Sequence, residues 1–390
     1  MAKSQRKRVL LAKLETTYGT DSSPTSTNAI LCSDLNLSPI AGNDVDRNFI
    51  KAWYGSSGKL RVESFGKLTF KTELAGSGTA GTAPQWNELI RSCNFSGTAI
   101  SSAVTGSAQA GAASTITLAA GASANDNEYV GLKISLTSGT GSGQTNEIIA
   151  YNGTTKVATV RTAWTTNPAA STGYSIAAGY IYTLNSNFSK TASTSATIYC
   201  AYDGTKHVLL GARGTFSLEL SVKGIPMISW EFIGILGTAS ETTNPTVDYT
   251  GWQVPVPALT ANTGDFTILN LDNVVMESLS IAINNELSYR TLVGDESVLI
   301  SNRNITGNTR IEAPAISTYN FFDKVQQGTQ DKFYVRHGST AGNTIVLASP
   351  KIQVTSAEYA ESAGSTMLDL QTVFIPSATV GNDELRIVAR

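Results

Sequence analysis

Two histidines, His207 and His337, and three cysteines, Cys32, Cys93 and Cys200, are the only imidazoles and thiols in this 390-residue chain. None of them stands at CxxC or HxxxH spacing, so neither a structural zinc nor a catalytic metal is expected. No G-x-S-x-G elbow is present to raise a serine nucleophile. The run Gly55-Ser-Ser-Gly-Lys59 has the look of a phosphate loop but lacks the GxxxxGK[ST] spacing, and no helix is expected after it. Gly139-Thr-Gly-Ser-Gly143 reads as a hairpin turn in a β-rich stretch rather than a cofactor cradle. The carboxylate pairs Asp44/Asp46, Asp295/Glu296 and Asp383/Glu384 fall in loops or at strand ends, where solvated turns explain them. Arg6-Lys7-Arg8 is a short basic run in a terminal arm, too few charges to read as a nucleic-acid footprint. No strand interleaves aromatics with Lys or Arg as single-strand binding would require. No catalytic, cofactor or metal residues are therefore assigned.

The composition points to a building material instead. Hydrophobic residues make up 41% of the chain, enough for a core, while charged residues are only 15%, against about a quarter in average proteins. Ser, Thr, Gly, Asn and Ala fill the difference. Uncharged polar rims cost less to desolvate than charged ones, so such surfaces suit burial against other copies. A net charge of −2 creates no field to draw in nucleic acid or anionic membrane. Three scattered cysteines argue against a disulfide framework and for assembly in a reducing cytoplasm. The opening MAKSQRKRVLLAKLE is too short in apolar residues for a signal core, and no run approaches the length of a membrane span.

Elements of two periods recur. Phe216, Leu218, Leu220 and Val222 alternate with Ser217, Glu219, Ser221 and Lys223; Leu68, Phe70, Thr72 and Leu74 alternate with Lys67, Thr69, Lys71 and Glu73. Ile281 with Ile283, and Leu385 with Ile387, continue the pattern. These are strands with one face on a core. Two short helices are expected: Pro84–Asn94, with Trp86, Leu89, Ile90 and Cys93 on one face, and Ser317–Gln327, with Tyr319, Phe322 and Val325 or Gln326. Each is expected to cover the open face of its own sheet.

The order of elements is written twice. Gly214–Leu236 and Pro350–Pro376 are each strand, turn, strand; each is preceded by a helix candidate, and each helix follows a strand, Lys67–Leu74 or Asn308–Ala313. Inside the first copy, between its helix candidate and the strand Thr197–Tyr202, lies 99–178, dense in Gly, Ser, Thr and Ala, with short alternating runs at Thr115–Leu118, Leu132–Leu136, Glu147–Tyr151 and Val157–Val160. Its flanks, Ser101–Ala113 and Asn167–Gly173, read as linkers, and the module is expected to project from a surface loop. The fold class is thus mainly β (α+β): two tandem β-sandwich or barrel domains, each with a short flanking helix, plus a small inserted all-β module. The first domain spans 1–98 and 179–244, the inserted module 99–178, and the second domain 245–390. A long excursion follows the first strands of each domain, Pro39–Lys59 and Asn284–Asn304. The first carries Phe49, Ile50, Trp53 and Tyr54 among polar residues. It is either an intersubunit arm or a loop folded back on its own domain.

With these segments in view, the chain resembles the major tail protein, or tail tube protein, family of long-tailed siphovirus-type bacteriophages. The likeness rests on KLETTYGTDSSP (Lys13–Pro24) with the aromatic-tipped loop after it, on the helix Pro84–Cys93 after a strand ending Glu73-Leu-Ala-Gly76, and on the closing GNDELRIVAR (Gly381–Arg390). The inserted module is similar to β-modules that decorate phage virion proteins, in ASTITLA (Ala113–Ala119) and GTGSGQ (Gly139–Gln144). The resemblance implies a non-enzymatic virion protein, made in the host cytoplasm, whose sheets join into rings that stack as a tube for DNA. Its implied partners are other copies of itself, a tape-measure protein inside the tube, tail terminator and distal tail proteins, and DNA in transit without sequence-specific contacts. No cofactor and no membrane insertion are implied. Two tube units per chain lead to an expected trimeric, pseudo-sixfold ring; the alternative is a hexamer with the second unit peripheral. Phe49, Ile50, Trp53 and Tyr54 are the expected inter-ring contact. Glu73, Glu219, Glu231, Asp369 and Gln371 are candidates for the lumen lining, which should not attract DNA. A carbohydrate-binding adhesion protein remains the other reading, and exposed aromatics among Tyr129, Tyr151, Trp164 and Tyr174 would favour it.

Overall fold

A computed structural model describes residues 3, 4, 6–377 and 381–390. It is mainly β, with sheets stacked around two hydrophobic clusters and two short helices. The first stretch of chain gives β1 (Arg8–Leu14), β2 (Ser33–Ala41), the small hairpin β3 (Asp44–Asp46) and β4 (Lys59–Arg61), β5 (Phe65–Glu73), α1 (Asn87–Arg91) and β6 (Phe95–Ile100). Seven short strands follow: β7 (Val104–Ser107), β8 (Ala110–Ala112), β9 (Thr115–Thr117), β10 (Lys133–Ser138), β11 (Thr145–Asn152), β12 (Val157–Val160) and β13 (Gly173–Ile176). Then come β14 (Gly179–Leu184), β15 (Ala196–Tyr202), β16 (Thr205–Ser221), β17 (Met227–Leu236) and β18 (Ser240–Glu241). The last part supplies β19 (Thr263–Ile268), β20 (Leu271–Asp272), β21 (Met276–Ala282), β22 (Asn285–Leu292), β23 (Asp295–Arg303), β24 (Thr306–Glu312), α2 (Phe321–Gln326), β25 (Gln330–His337), β26 (Ile345–Ser362), β27 (Ser365–Phe374) and β28 (Arg386–Ala389).

The pairing runs in the order β2, β5, β17, β16, β21, β24, β27, β26, every pair antiparallel. This eight-stranded sheet contains one four-strand pattern twice, head to tail. β16 closes the first pattern, and Ser217 to Ser221 pair there with Ala282 to Ser278 of β21, which opens the second. The long strands β16 and β26 each pass through a register break and continue into a second layer, where β16 pairs with β15 and β26 with β25. β1 pairs with β15 and β19 with β25, so the outer layer repeats as well. Gly211, at the break in β16, has φ +56°, and a Cβ there would lie 2.6 Å from the Tyr18 ring. Only glycine bends the strand at this point without displacing that ring.

The alternation seen in the sequence becomes the core. Leu68, Phe70, Phe216, Leu218, Leu220, Ile228, Trp230, Leu279, Ile281, Leu368 and Leu370 are buried in one cluster with Trp86, Leu89, Ile90 and Cys93. Phe70, Trp230 and Phe232 stack at centroid distances of 6.0–6.4 Å. Val222 departs from the pattern: it lies past the end of β16, in the turn, and is exposed. α1 is shorter than its apolar spacing suggests, because Pro84–Trp86 forms a turn before it, and Trp86 Nε1 donates to the Ala75 carbonyl. In α2 the deeply buried residue is Phe321, capped by Asn320, whose side chain accepts from Phe322 and Asp323; Tyr319, Phe322 and Val325 are only partly covered.

The strands of 99–178 order as β7, β13, β10, β11, β12, β9, β8. The flanks read as linkers are not linkers. β7 and β8 lie inside Ser101–Ala113, and Thr172 and Ser171 exchange backbone bonds with Ala108. Gly, Ala and Ser look like spacer residues, but backbone groups pair irrespective of side-chain size. The module does not project freely either. β6 and β14 pair with each other, and β14 pairs with β28. The module's cluster of Ile134, Ile148, Tyr174 and others also encloses Ile181, Tyr334, Val346, Ala348 and Val388. Gly131, at φ +86°, approaches so closely that a Cβ would lie 2.7 Å from Val388. Ion pairs ring the seam: Arg390 bonds Glu147 through both terminal nitrogens at 2.5 and 2.6 Å, and Arg161 and Arg336 share Asp265 at 2.6 and 2.7 Å.

Candidate functional site

The excursions between first and second strands differ in what they touch. β22 and β23 form a hairpin that lies across β16 and β17 of the preceding four-strand pattern. Asn285 donates to the carbonyls of Cys93 and Gly214, both at 2.9 Å, and Val298 N–H donates to Tyr18 Oη. The Tyr289 and Phe65 rings meet at 5.1 Å. Arg213, fully buried, donates to the carbonyls of Val298, Lys190, Ser193 and Thr194 and lies 4.8 Å from the Tyr18 ring. Burial lowers its pKa, and these carbonyls hold the charge in place. At the hairpin's tip Leu292 and Val293 are exposed.

The sister excursion, β3–β4 with its tip 47–58, has no such seat. Ile50 and Tyr54 are fully exposed, and Phe49 and Trp53 keep 59% and 71% of their surface. Arg47 lies 4.9 Å over the Phe49 ring, and short ion pairs Lys59–Asp46 and Arg61–Asp44 hold the stem. Of the two readings the sequence left open, folding back on its own body is not what this arm does.

Glu73, Glu219, Glu231, Asp369 and Gln371, far apart in sequence, lie on one face of the eight-stranded sheet, opposite the core face. Period-two alternation places them there, and the continuous pairing makes it a single surface. The same face shows Ser217, Ser229, Ser278, Ser280, Asn308 and Glu358, with open troughs of about 490 and 440 Å³. Its cations are mostly occupied. Lys67 pairs with Glu231 at 2.8 Å, Lys71 with Asp34 at 3.5 Å, and Arg310 grips Asp369 through two bonds of 2.6 and 2.7 Å. That grip holds the Asp369 carboxyl below its ordinary pKa and raises the guanidinium's. Glu219, Glu358 and Glu312 complete an acidic surplus.

The sheet has two open edges among the described residues. β2 pairs only with β5, and β26 beyond Val354 pairs only with β27. Tyr359 on that edge remains 63% exposed, its ring 5.3 Å from Phe322. Long unpaired edges invite pairing with another chain. The head-to-tail junction of β16 with β21 was not visible in the sequence, since no residue type marks which edges meet.

Tyr129, Tyr151, Trp164 and Tyr174 of the inserted module are all buried, leaving no sugar-stacking platform among them. Among the described residues no helix is long and apolar enough to cross a membrane. A family model described as phage tail tube protein matches residues 5–373. No curated protein matches the chain.

Proposed function

Because the chain belongs to the phage tail tube protein family, a family of structural virion components rather than enzymes, we propose that three copies close into a pseudo-sixfold ring and that rings stack into the conduit for DNA ejection. One observation supports this: β16 and β21 pair to join the two four-strand patterns into one sheet within a single chain, as a lateral contact between two wall segments would. Its repetition between chains would set β26 of one against β2 of the next. Eight strands per chain in three chains give a closed barrel of about 24 strands, which removes every open edge. Closed rotation ends the ring, and head-to-tail translation extends the tube. Within this reading, 1–98 with 179–244 and 245–390 are the two wall units, and 99–178 is a module braced against the second.

The cis hairpin β22–β23 fills on the first unit a place that, on the second, a neighbour's arm would fill. The arms' stems thereby become lateral clasps, and the tips Phe49, Ile50, Trp53 and Tyr54 reach the adjoining ring. The acidic and hydroxyl-rich face becomes the lumen, where like charge keeps DNA from adhering. The tape-measure, terminator and distal tail proteins would meet this conduit at its inside and its ends. A hexamer with the second unit peripheral fits less well, since both units supply equal halves of one sheet.

Electron microscopy of concentrated pure protein tests the ring. Stacked annuli with three chains and six wall segments are expected; six chains per annulus, or no annuli, would overturn it. Proline at Tyr359 and at Ala360 gives a second check. Neighbouring residues in a strand point their N–H groups to opposite sides, so one substitution blocks the open edge and the other breaks the β27 ladder. The variant that keeps the native melting temperature should form no rings.

A further inference from the structure

The two rims of the eight-stranded sheet are unlike. One rim bears both hairpins: Ala41 leads into the arm, Phe65 follows it, and Ala282 and Thr306 flank β22–β23. The opposite rim bears the turns after Ser221 and Ser362, with the start of β21 and the end of β24 between them. There Val222, Ile225, Val275 and Ile316 are all exposed. Where β16 meets β21, this rim opens into a trough of about 600 Å³, lined by Val222, Val275, Met276 and Met367, with two acidic and two basic residues in its walls.

We propose that this trough is the seat for the arm tip of a second copy of the chain in the adjacent ring. The inference rests on the tube reading and names the surface that reading leaves open. Two observations favour this occupant. Tip and trough lie at opposite ends of one sheet, so translation along the tube axis, with no change of hand, carries one towards the other. Both expose apolar side chains that nothing of this chain covers, Val222 and Val275 at the trough and Phe49, Ile50, Trp53 and Tyr54 at the tip, and methionines such as Met276 and Met367 adapt to aromatic guests. Charge does not decide the fit: the tip carries Arg47 and Lys51, and the trough's Glu277 and Glu312 are balanced by Lys223 and Arg310, so contact between the apolar side chains must supply the attraction. Reach is sufficient: nine residues from Ala41 to Ile50 span roughly 30 Å when extended, about the length of the nine-residue β5.

Two measurements test this, with native tubes as the control. A Trp53→Cys, Val275→Cys double variant, made with Cys32→Ser because Cys93 and Cys200 are buried, is oxidised after assembly. A ladder of cross-linked chains is expected, absent from either single variant. Val275→Asp should keep the native circular dichroism and melting temperature, still form single rings, and yield at least about tenfold fewer stacked tubes, a change equivalent to about 1.4 kcal/mol. Normal stacking by Val275→Asp together with no ladder overturns the seat while leaving the tube reading intact. Failure of the native protein to form tubes overturns that reading, and the seat with it. Should Val275→Asp misfold, the ladder alone decides.

Discussion

At the scale of single residues, chemistry here serves position rather than reaction. His337 is buried, with Nε2 3.1 Å from the Val256 carbonyl and Nδ1 2.9 Å from Thr263 Oγ1. Burial is the main cause that lowers its pKa; the neighbouring Arg336 adds to this, while the Val256 bond opposes it. A histidine held neutral when folded but free to protonate when unfolded gives stability that is present above its unfolded pKa, about 6.5, and declines as pH falls below it. His207, the other histidine, is shifted the same way by partial burial and Lys3. Melting temperature should therefore drop on going from pH 7.5 to pH 5.5, and His337→Gln should flatten part of that slope. An unchanged slope in the variant would assign the acid sensitivity elsewhere. Asp369 works in the opposite chemical sense with the same outward sign. Its depressed pKa means that the Arg310 contact persists above the ordinary carboxylate range and fails only in strong acid.

Elements show where sequence reading succeeds and where it stops. The strands around Phe216–Leu220 and Leu68–Thr72, and the buried face of Trp86, Leu89, Ile90 and Cys93, were legible because periodicity is local. The arm's aromatics were legible as unusual among polar neighbours. The docking of β22–β23 across β16 and β17 was not, since Arg213 looks like any strand arginine until its four carbonyl partners are assembled. The tethering of the inserted module was hidden for the same reason, as Gly131, Val388 and Arg390 meet only in three dimensions. The module's position bears on its removal: deletion of 99–178 behind a short linker should destabilise the rest of the chain. It uncovers Ile181, Val346 and Val388, each worth about 1.5–3 kcal/mol when buried, so roughly 5–9 kcal/mol is at stake as an upper bound. Whole domains retain only about 5–15 kcal/mol. Circular dichroism melts of the deletion should show a loss of many degrees or no cooperative transition; a native-like melt would make the module an independent passenger.

For the whole molecule, the acidic sheet face yields a test at the level of the particle. Lys67, Lys71 and Arg310 are held by Glu231, Asp34 and Asp369, so few cations are left to grip a passing phosphate backbone. Glu219→Lys combined with Glu231→Lys removes two negative and adds two positive charges per chain and frees Lys67. Tubes should still form, while DNA release from particles carrying the variant should slow and become more sensitive to salt. Release at the native rate would mean that this face does not line the channel. One consequence of the insertion concerns the exterior. In the proposed ring of three chains, only one of the two wall segments of each chain would carry it, so the ring would present three ribs separated by three bare furrows. Any molecule that grips such a shaft from outside would find a valency of three, and its own symmetry would have to match that count rather than the six of the bore.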